Sequence, residues 1–241
     1  MRRVYKFLPA HWGSEAIRQR RLKISHFDTL NEPWEFRAIR FSNPDPRRVI
    51  TEKAAWEKTL NMLGQSRGVI CFSNSWSDPV HWSHYADNHR GMALGFDVPD
   101  LDGDGNQLAL DVNYTDDLLD FPSGFFENRS HQVEKDRFVN KVISTKFSNW
   151  AYEKEVRLFS SLEDPDEQTN LFFLDFDASI ILKEVIFGYR SEGSDEMTAT
   201  LARLRKISEI QCWKAGLGTD TFTMVKDPNW TFHRSESVGT E

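Results

Sequence analysis

The sequence predicts an α+β fold, a single domain with a mostly antiparallel mixed sheet flanked by helices. Three observations predict it. Helical and strand periods occur in one chain without a regular strand–helix beat, which argues against a doubly wound parallel sheet. No segment repeats at fixed spacing and no Gly/Ser linker divides the chain, so residues 1–234 read as one domain and 235–241 as a loose tail. The composition can build a core: of 241 residues 39% are hydrophobic and 13% aromatic, including 18 Phe and 8 Trp. A disordered chain has no means of hiding so many rings.

Val4–Leu8 reads as a first strand stopped by Pro9. Ser14 caps a short helix through Arg21, and Leu22–Ser25 alternates as a second strand. Phe27–Glu35 is a loop of turn formers and aromatics. A helix follows near Val49–Leu63, with Trp56, Leu60 and Leu63 as its apolar stripe and Gly64 placed to end it. Val69–Ser73 is a buried-type strand. Asp78-Pro79, a cap and then Pro at the first helical position, opens a short helix through Asn88. Met92–Val98 and Leu108–Tyr114 read as two strands joined across a polar turn. His131–Lys146 is an amphipathic helix. Val156–Phe159, Leu171–Phe176 and Ile180–Phe187 are further strands. Ser194-Asp195-Glu196 opens another helix, and Thr221–Val225 is the last strand.

No run approaches 18 uncharged apolar residues, and Met1-Arg2-Arg3 leads into no apolar signal segment, so no membrane partner and a cytoplasmic location are expected. Cys71 and Cys212 are too few for a disulfide framework or a four-thiolate zinc site. The formal net charge is -7, yet residues 1–60 hold 13 Lys and Arg against 7 Asp and Glu, and the remainder 17 against 30. A basic first quarter on an acidic body suits an anionic partner such as a nucleotide or nucleic acid. The plainer alternative is that Arg18–Arg21 closes a helix at its negative dipole end.

Asp100-Leu101-Asp102-Gly103-Asp104-Gly105 begins like a calcium loop, but Asp111 stands where a bidentate Glu is needed and the flanks read as strands, which makes a polar turn the better reading. His81, His84 and His89 lie close together without the Glu of His-Glu-x-x-His, so no metal is expected. Trp82-Ser83-His84-Tyr85 suits the lining of a pocket. Gly-rich phosphate loops and the Gly-x-Ser-x-Gly elbow are absent, which removes the common Rossmann, P-loop and α/β-hydrolase routes. Read as a strand from Glu153, the segment Glu153–Leu158 turns Glu153, Glu155 and Arg157 to one face. Either these groups pair or act inside the protein, or they form a solvent-facing ladder of minor energetic weight.

Four blocks in this order and spacing resemble the bacterial domain of unknown function 2971 family: Val4–Phe7; Leu22–Ser25 through Asn31–Glu35; Cys71–Ser73 with Trp82–Gly91; and Trp150–Arg157. More distantly the chain resembles the ADP-ribosyltransferase fold, particularly its DNA-modifying toxin branch. That likeness implies NAD as substrate, Glu155 as the catalytic carboxylate, and a cofactor-binding set of Tyr5, Lys6, Ser25, Asn31, Trp34, Glu35, Ser73, Trp82, His84, Tyr85 and Arg157. The first strand departs from the pattern, with Lys6 where Arg or His is usual. The likeness further implies transfer to a protein or nucleic-acid acceptor and a role as a toxin or antiviral effector. Two other classes stay open. One is a metal-dependent phosphodiesterase using His84, Asp87, His89 and Glu155. The other is a non-catalytic nucleotide-binding or nucleic-acid-binding module.

Overall fold

The structure is a computed structural model that describes residues 1–99, 109–127, 132–177, 179–191, 195–204 and 209–231. The Asp100–Gly105 run and the 235–241 tail lie outside these residues. In chain order the first elements are β1 (Arg2–Leu8), α1 (Ala10–Gln19), β2 (Arg21–Lys23), β3 (Ile39–Arg40), α2 (Pro46–Ser66), β4 (Arg67–Ser73), α3 (Pro79–Tyr85) and β5 (Met92–Val98). There follow β6 (Ala109–Asp111), β7 (Asn113–Thr115), β8 (Leu119–Asp120), α4 (Gln132–Ile143), β9 (Thr145–Phe147) and β10 (Glu155–Ser161). The remainder is β11 (Phe173–Asp175), β12 (Ile181–Phe187), α5 (Asp195–Leu204), β13 (Gln211–Leu217) and β14 (Met224–Lys226). Helices and a largely antiparallel sheet bear out the α+β class.

Local chemistry sets most boundaries. Asp45 accepts a hydrogen bond from Arg47 N with Pro46 at the first helical position, and Asp78 accepts one from Val80 N with Pro79 in the same place. Both are side-chain N-caps with Pro where no amide donor is needed. Helix α1 corrects the expected start at Ser14: it begins directly after Pro9, whose carbonyl takes Gly13 N at 3.0 Å, and Ser14 is buried inside it. Helix α2 passes through Gly64 to Ser66, because one Gly costs a helix only about 1 kcal/mol. Strands β3, β8, β9 and β13 are additional to those read from the sequence. The strands read at Met92–Val98 and Leu108–Tyr114 are not neighbours in the sheet, since β5 pairs with β1 and β12 and β6 lies beside β10.

Residue contacts divide the chain into two compact units. The first comprises Met1–Leu22, Cys71–Ala109 and Leu174–Glu241, and the second Lys23–Ile70 and Leu110–Phe173. The eight-stranded sheet has the order β14-β13-β12-β5-β1-β4-β10-β6. The unit boundary falls inside β4, so the first unit holds β14 through the end of β4 and the second the start of β4 with β10 and most of β6.

In the first unit β1 lies antiparallel to β5 over its whole length, from Arg2↔Val98 to Leu8↔Met92, and β12 and β13 form a parallel pair. Its core gathers Phe7, Trp82, Ala93, Ile186, Trp213 and Met224. The second unit has its own core of Phe36, Trp56, Leu60, Phe121, Phe125 and Val142. There β7 runs parallel to β9 with Tyr114 opposite Lys146, and β3 runs parallel to β8. Among the described residues no helix is long and apolar enough to cross a membrane.

Candidate functional site

The second unit encloses a centre of five charged side chains. Each has a local cause. Glu35 follows a turn in which Trp34 N is held by the Glu32 carboxylate and Glu35 N by the Glu32 carbonyl. It precedes Phe36, a buried aromatic at φ 61. A bulky residue in the left-handed region is strained, and such strain persists only where the surroundings fix it. Lys146 sits on β9, not at the end of the preceding helix. Ser144 Oγ and Thr145 Oγ1 donate to the carbonyls of Asn140 and Lys141 at 2.8 and 2.7 Å, and these bonds draw the chain out of α4. A short 3-10 turn, Ser148–Glu153, then carries Glu153. Lys154, at φ 45, redirects the backbone into β10, where Glu155 and Arg157 lie two residues apart on one face.

Lys146 Nζ lies 2.7 Å from Glu153, 3.0 Å from Glu155 and 3.0 Å from Glu35. Arg157 Nε donates to Glu155 at 2.9 Å, Nη2 to Glu35 at 2.5 Å and to the other Glu155 oxygen at 3.1 Å, and Nη1 to the Ile143 carbonyl at 2.6 Å. Arg157 has no exposed surface, and the three carboxylates retain 4–5%. Aromatic rings back both cations: Phe36 lies 5.1 Å from the guanidinium and Trp150 5.2 Å from the ammonium. The Tyr114 hydroxyl accepts the Glu155 amide at 2.8 Å.

Among these five side chains three carboxylates face two cations. Burial works against the Lys146 ammonium, but Glu155, Glu35 and Glu153 outweigh it and hold its pKa well above the ordinary value. Burial likewise pushes the Tyr114 phenol up, with the charges of Glu155 and Glu153 adding to it, against a lowering by the Glu155 amide. At neutral pH the centre therefore presents a fixed ammonium and a neutral phenol beside three carboxyl groups. Chemically this is a place that favours an arriving or developing positive charge.

The structure distributes the residues singled out from sequence between the two units. Glu35, Glu155 and Arg157 meet in the charge centre. Glu153, read from the sequence on the same strand face, joins them from the 3-10 turn before β10, and Lys146 and Tyr114 join them without having been anticipated in that role. Trp34, nearby in sequence, is 55% exposed. Ser25 bridges to Val69 in the second unit, and Asn31 lies in the turn that leads to Glu35.

Tyr5, Lys6, Ser73, Trp82, His84 and Tyr85 belong to the first unit. Tyr5 pairs in register with Ser73, and Lys6 Nζ donates to the Cys71 carbonyl at 3.0 Å. Burial, then the neighbouring Glu184 charge, pushes the Tyr5 phenol up to about 12. Trp82 holds a core position, fully buried, edge-on to Phe7, stacked with His89 and donating to the Trp76 carbonyl at 2.6 Å. Asp87, Asn88 and His89 all have left-handed backbones, and His89 Nε2 lies 3.0 Å from Ser83 Oγ. Among the described residues no three His, Cys, Asp or Glu side chains are grouped to hold a metal ion.

Fold and centre together define an α+β protein with a buried, carboxylate-rich charge centre at the start of one strand. A family described as protein of unknown function (DUF2971) matches residues 81–158. That span runs from α3 to β10 and takes in Tyr114, Lys146, Glu153, Glu155 and Arg157, while Glu35 precedes it. No curated protein and no solved structure matches the chain.

Proposed function

We propose that the charge centre of the second unit serves glycosyl transfer from NAD, in the manner of an ADP-ribosyltransferase, to a protein or nucleic-acid acceptor. The observation that carries this reading is the gathering of three buried carboxylates around Lys146 and Arg157. Cleaving the nicotinamide–ribose bond sends the bonding electron pair away with nicotinamide and leaves positive charge on the sugar carbon. A fixed carboxylate in a site of low dielectric stabilises that developing charge. Glu155 is the carboxylate assigned to the task. Arg157, without exposed surface and bonded to Glu35, Glu155 and the Ile143 carbonyl, is a positioning residue. Lys146 sets the spacing of the three carboxylates. Glu153 is placed to take the acceptor's proton as its oxygen or nitrogen bonds to the sugar carbon.

Trp34 is the ring with exposed surface nearest in sequence to Glu35 and is assigned to the nicotinamide in preference to the buried Trp82. Transfer of this kind onto a macromolecule is the chemistry of a toxin or defence effector, and that biological role goes with the reading.

Calorimetric titration of the full chain with NAD tests the proposal. Saturable 1:1 binding is expected, retained in Glu155→Gln and weakened in Trp34→Ala. Absence of any binding heat at millimolar NAD would remove the reading and leave the centre a structural charge lock.

A further inference from the structure

A cavity lies in the first unit, on residues that the charge centre does not use. Strand β14 is the edge strand of the sheet and pairs antiparallel with β13, from Ala215↔Lys226 to Leu217↔Met224. After it the chain turns tightly. Asp227 N donates to the Lys214 carbonyl at 2.9 Å, and the Asp227 carboxylate accepts Asn229 N at 2.9 Å. This turn brings Trp230 back beside the strand pair, its ring 6.0 Å from Phe187. Between them is a cavity of about 600 Å3 lined by Cys212, Trp213, Lys226, Asp227, Trp230 and Thr231 among others. That size falls within the range of small-molecule sites.

Trp213 is 7% exposed, and its Nε1 is buried without a hydrogen-bond partner. Buried donors in folded proteins nearly always find an acceptor, so an indole N–H left over beside a cavity asks for one from a ligand. The Lys226 ammonium stands 5.4 Å from the centroid of the same indole ring and has no carboxylate partner among the described residues. The Asp227 carboxylate is engaged with its own turn. Trp213, with its spare donor, the Lys226 cation and the Trp230 ring all line this one cavity. We propose that this cavity binds a small planar molecule carrying one carboxylate or phosphate, its oxyanion held by Trp213 Nε1 and Lys226 Nζ and its ring against Trp230.

Calorimetry on the full chain with four probes decides it: indole-3-acetate, AMP, adenosine and inorganic phosphate. Either indole-3-acetate or AMP is expected to saturate at 1:1, and which of them does so tells an aromatic carboxylate from a nucleotide. Adenosine and inorganic phosphate should each bind at least about tenfold more weakly, because each lacks half of the recognised group. Trp213→Phe keeps the ring and loses the N–H. It should weaken the bound probe about tenfold or more, the usual worth of a hydrogen bond to a charged group. Lys226→Ala, at an exposed edge position, should weaken it similarly and flatten its salt dependence. This second variant keeps the test decisive should Trp213→Phe not fold. Failure of both ring-bearing anions to saturate overturns the proposal. So does inorganic phosphate binding as tightly as AMP, or binding unchanged in both variants, as AMP held at the charge centre would show.

Discussion

Replacing Arg157 with Met asks how much the charge centre contributes to the second unit. The guanidinium donates to both Glu155 oxygens, to Glu35 and to the Ile143 carbonyl, at 2.5–3.1 Å and with no exposed surface. Met fills a similar volume, so packing changes little and the loss is electrostatic. Three buried carboxylates are then left to one ammonium, and the Ile143 carbonyl loses its guanidinium donor. Removing one member of a buried ion pair costs roughly 3–5 kcal/mol. Total stabilities of domains run about 5–15 kcal/mol, so the variant should lose roughly a fifth or more of its stability. Urea unfolding at pH 7 measures this as a shift in midpoint at constant slope. Glu35→Met combined with Arg157→Met should cost less than Arg157→Met alone, because replacing both partners leaves fewer buried charges uncompensated. A loss below about 1 kcal/mol, the scale of a surface pair, would refute the picture of a desolvated centre.

The Tyr5 phenol, pushed up to about 12 by burial and by Glu184, ionises in the unfolded chain first. Its contribution is therefore intact below pH 10 and falls away as pH rises from 10 to about 12. Tyr5→Phe should remove that part of the alkaline fall in a series of thermal melts, and an unchanged alkaline limb would contradict it. Gly188→Ala should destabilise by about 1–3 kcal/mol, since an added Cβ would stand 2.2 Å from the His89 carbonyl oxygen, in backbone that cannot yield cheaply. A neutral result by denaturant melt would mean that the left-handed run at Asp87–His89 is free to shift. Asp45→Ala should cost about 1 kcal/mol through loss of the α2 cap, against almost nothing for Asp45→Ser, which can still cap.

Much of the frame was legible in the sequence, because its signals are local. Asp45-Pro46 and Asp78-Pro79 announced helix starts, and β1, β4, β5, β10 and β12 announced themselves as apolar runs. Of the charge centre, Glu153, Glu155 and Arg157 were grouped by strand alternation, although Glu153 comes from the turn before the strand, and Glu35 was reached through a family resemblance. Lys146 was not, because it continues the periodic pattern of α4. What ends that helix is the back-bonding of Ser144 and Thr145, a choice between two hydrogen-bonding options that composition does not decide. Tyr114 and Lys146 face each other through a β7–β9 pairing between residues far apart in sequence, which no local pattern carries. Strand β13 was missed because Lys214, 4% exposed, interrupts its apolar alternation. Trp82 carries the same aromatic signature whether it lines a pocket or fills a core, and only packing against Phe7 and His89 distinguishes the two.

The most direct measurement is nicotinamide release from NAD by the purified chain and by Glu155→Gln, with both proteins shown to have the same urea midpoint. Release by the wild type, falling about a hundredfold or more in the variant while NAD affinity holds, is the result expected of a carboxylate that stabilises the transition state. Equal release by both, or none from the wild type with any of a protein, DNA or RNA acceptor supplied, would contradict the assignment of Glu155 and the glycosyl-transfer reading with it.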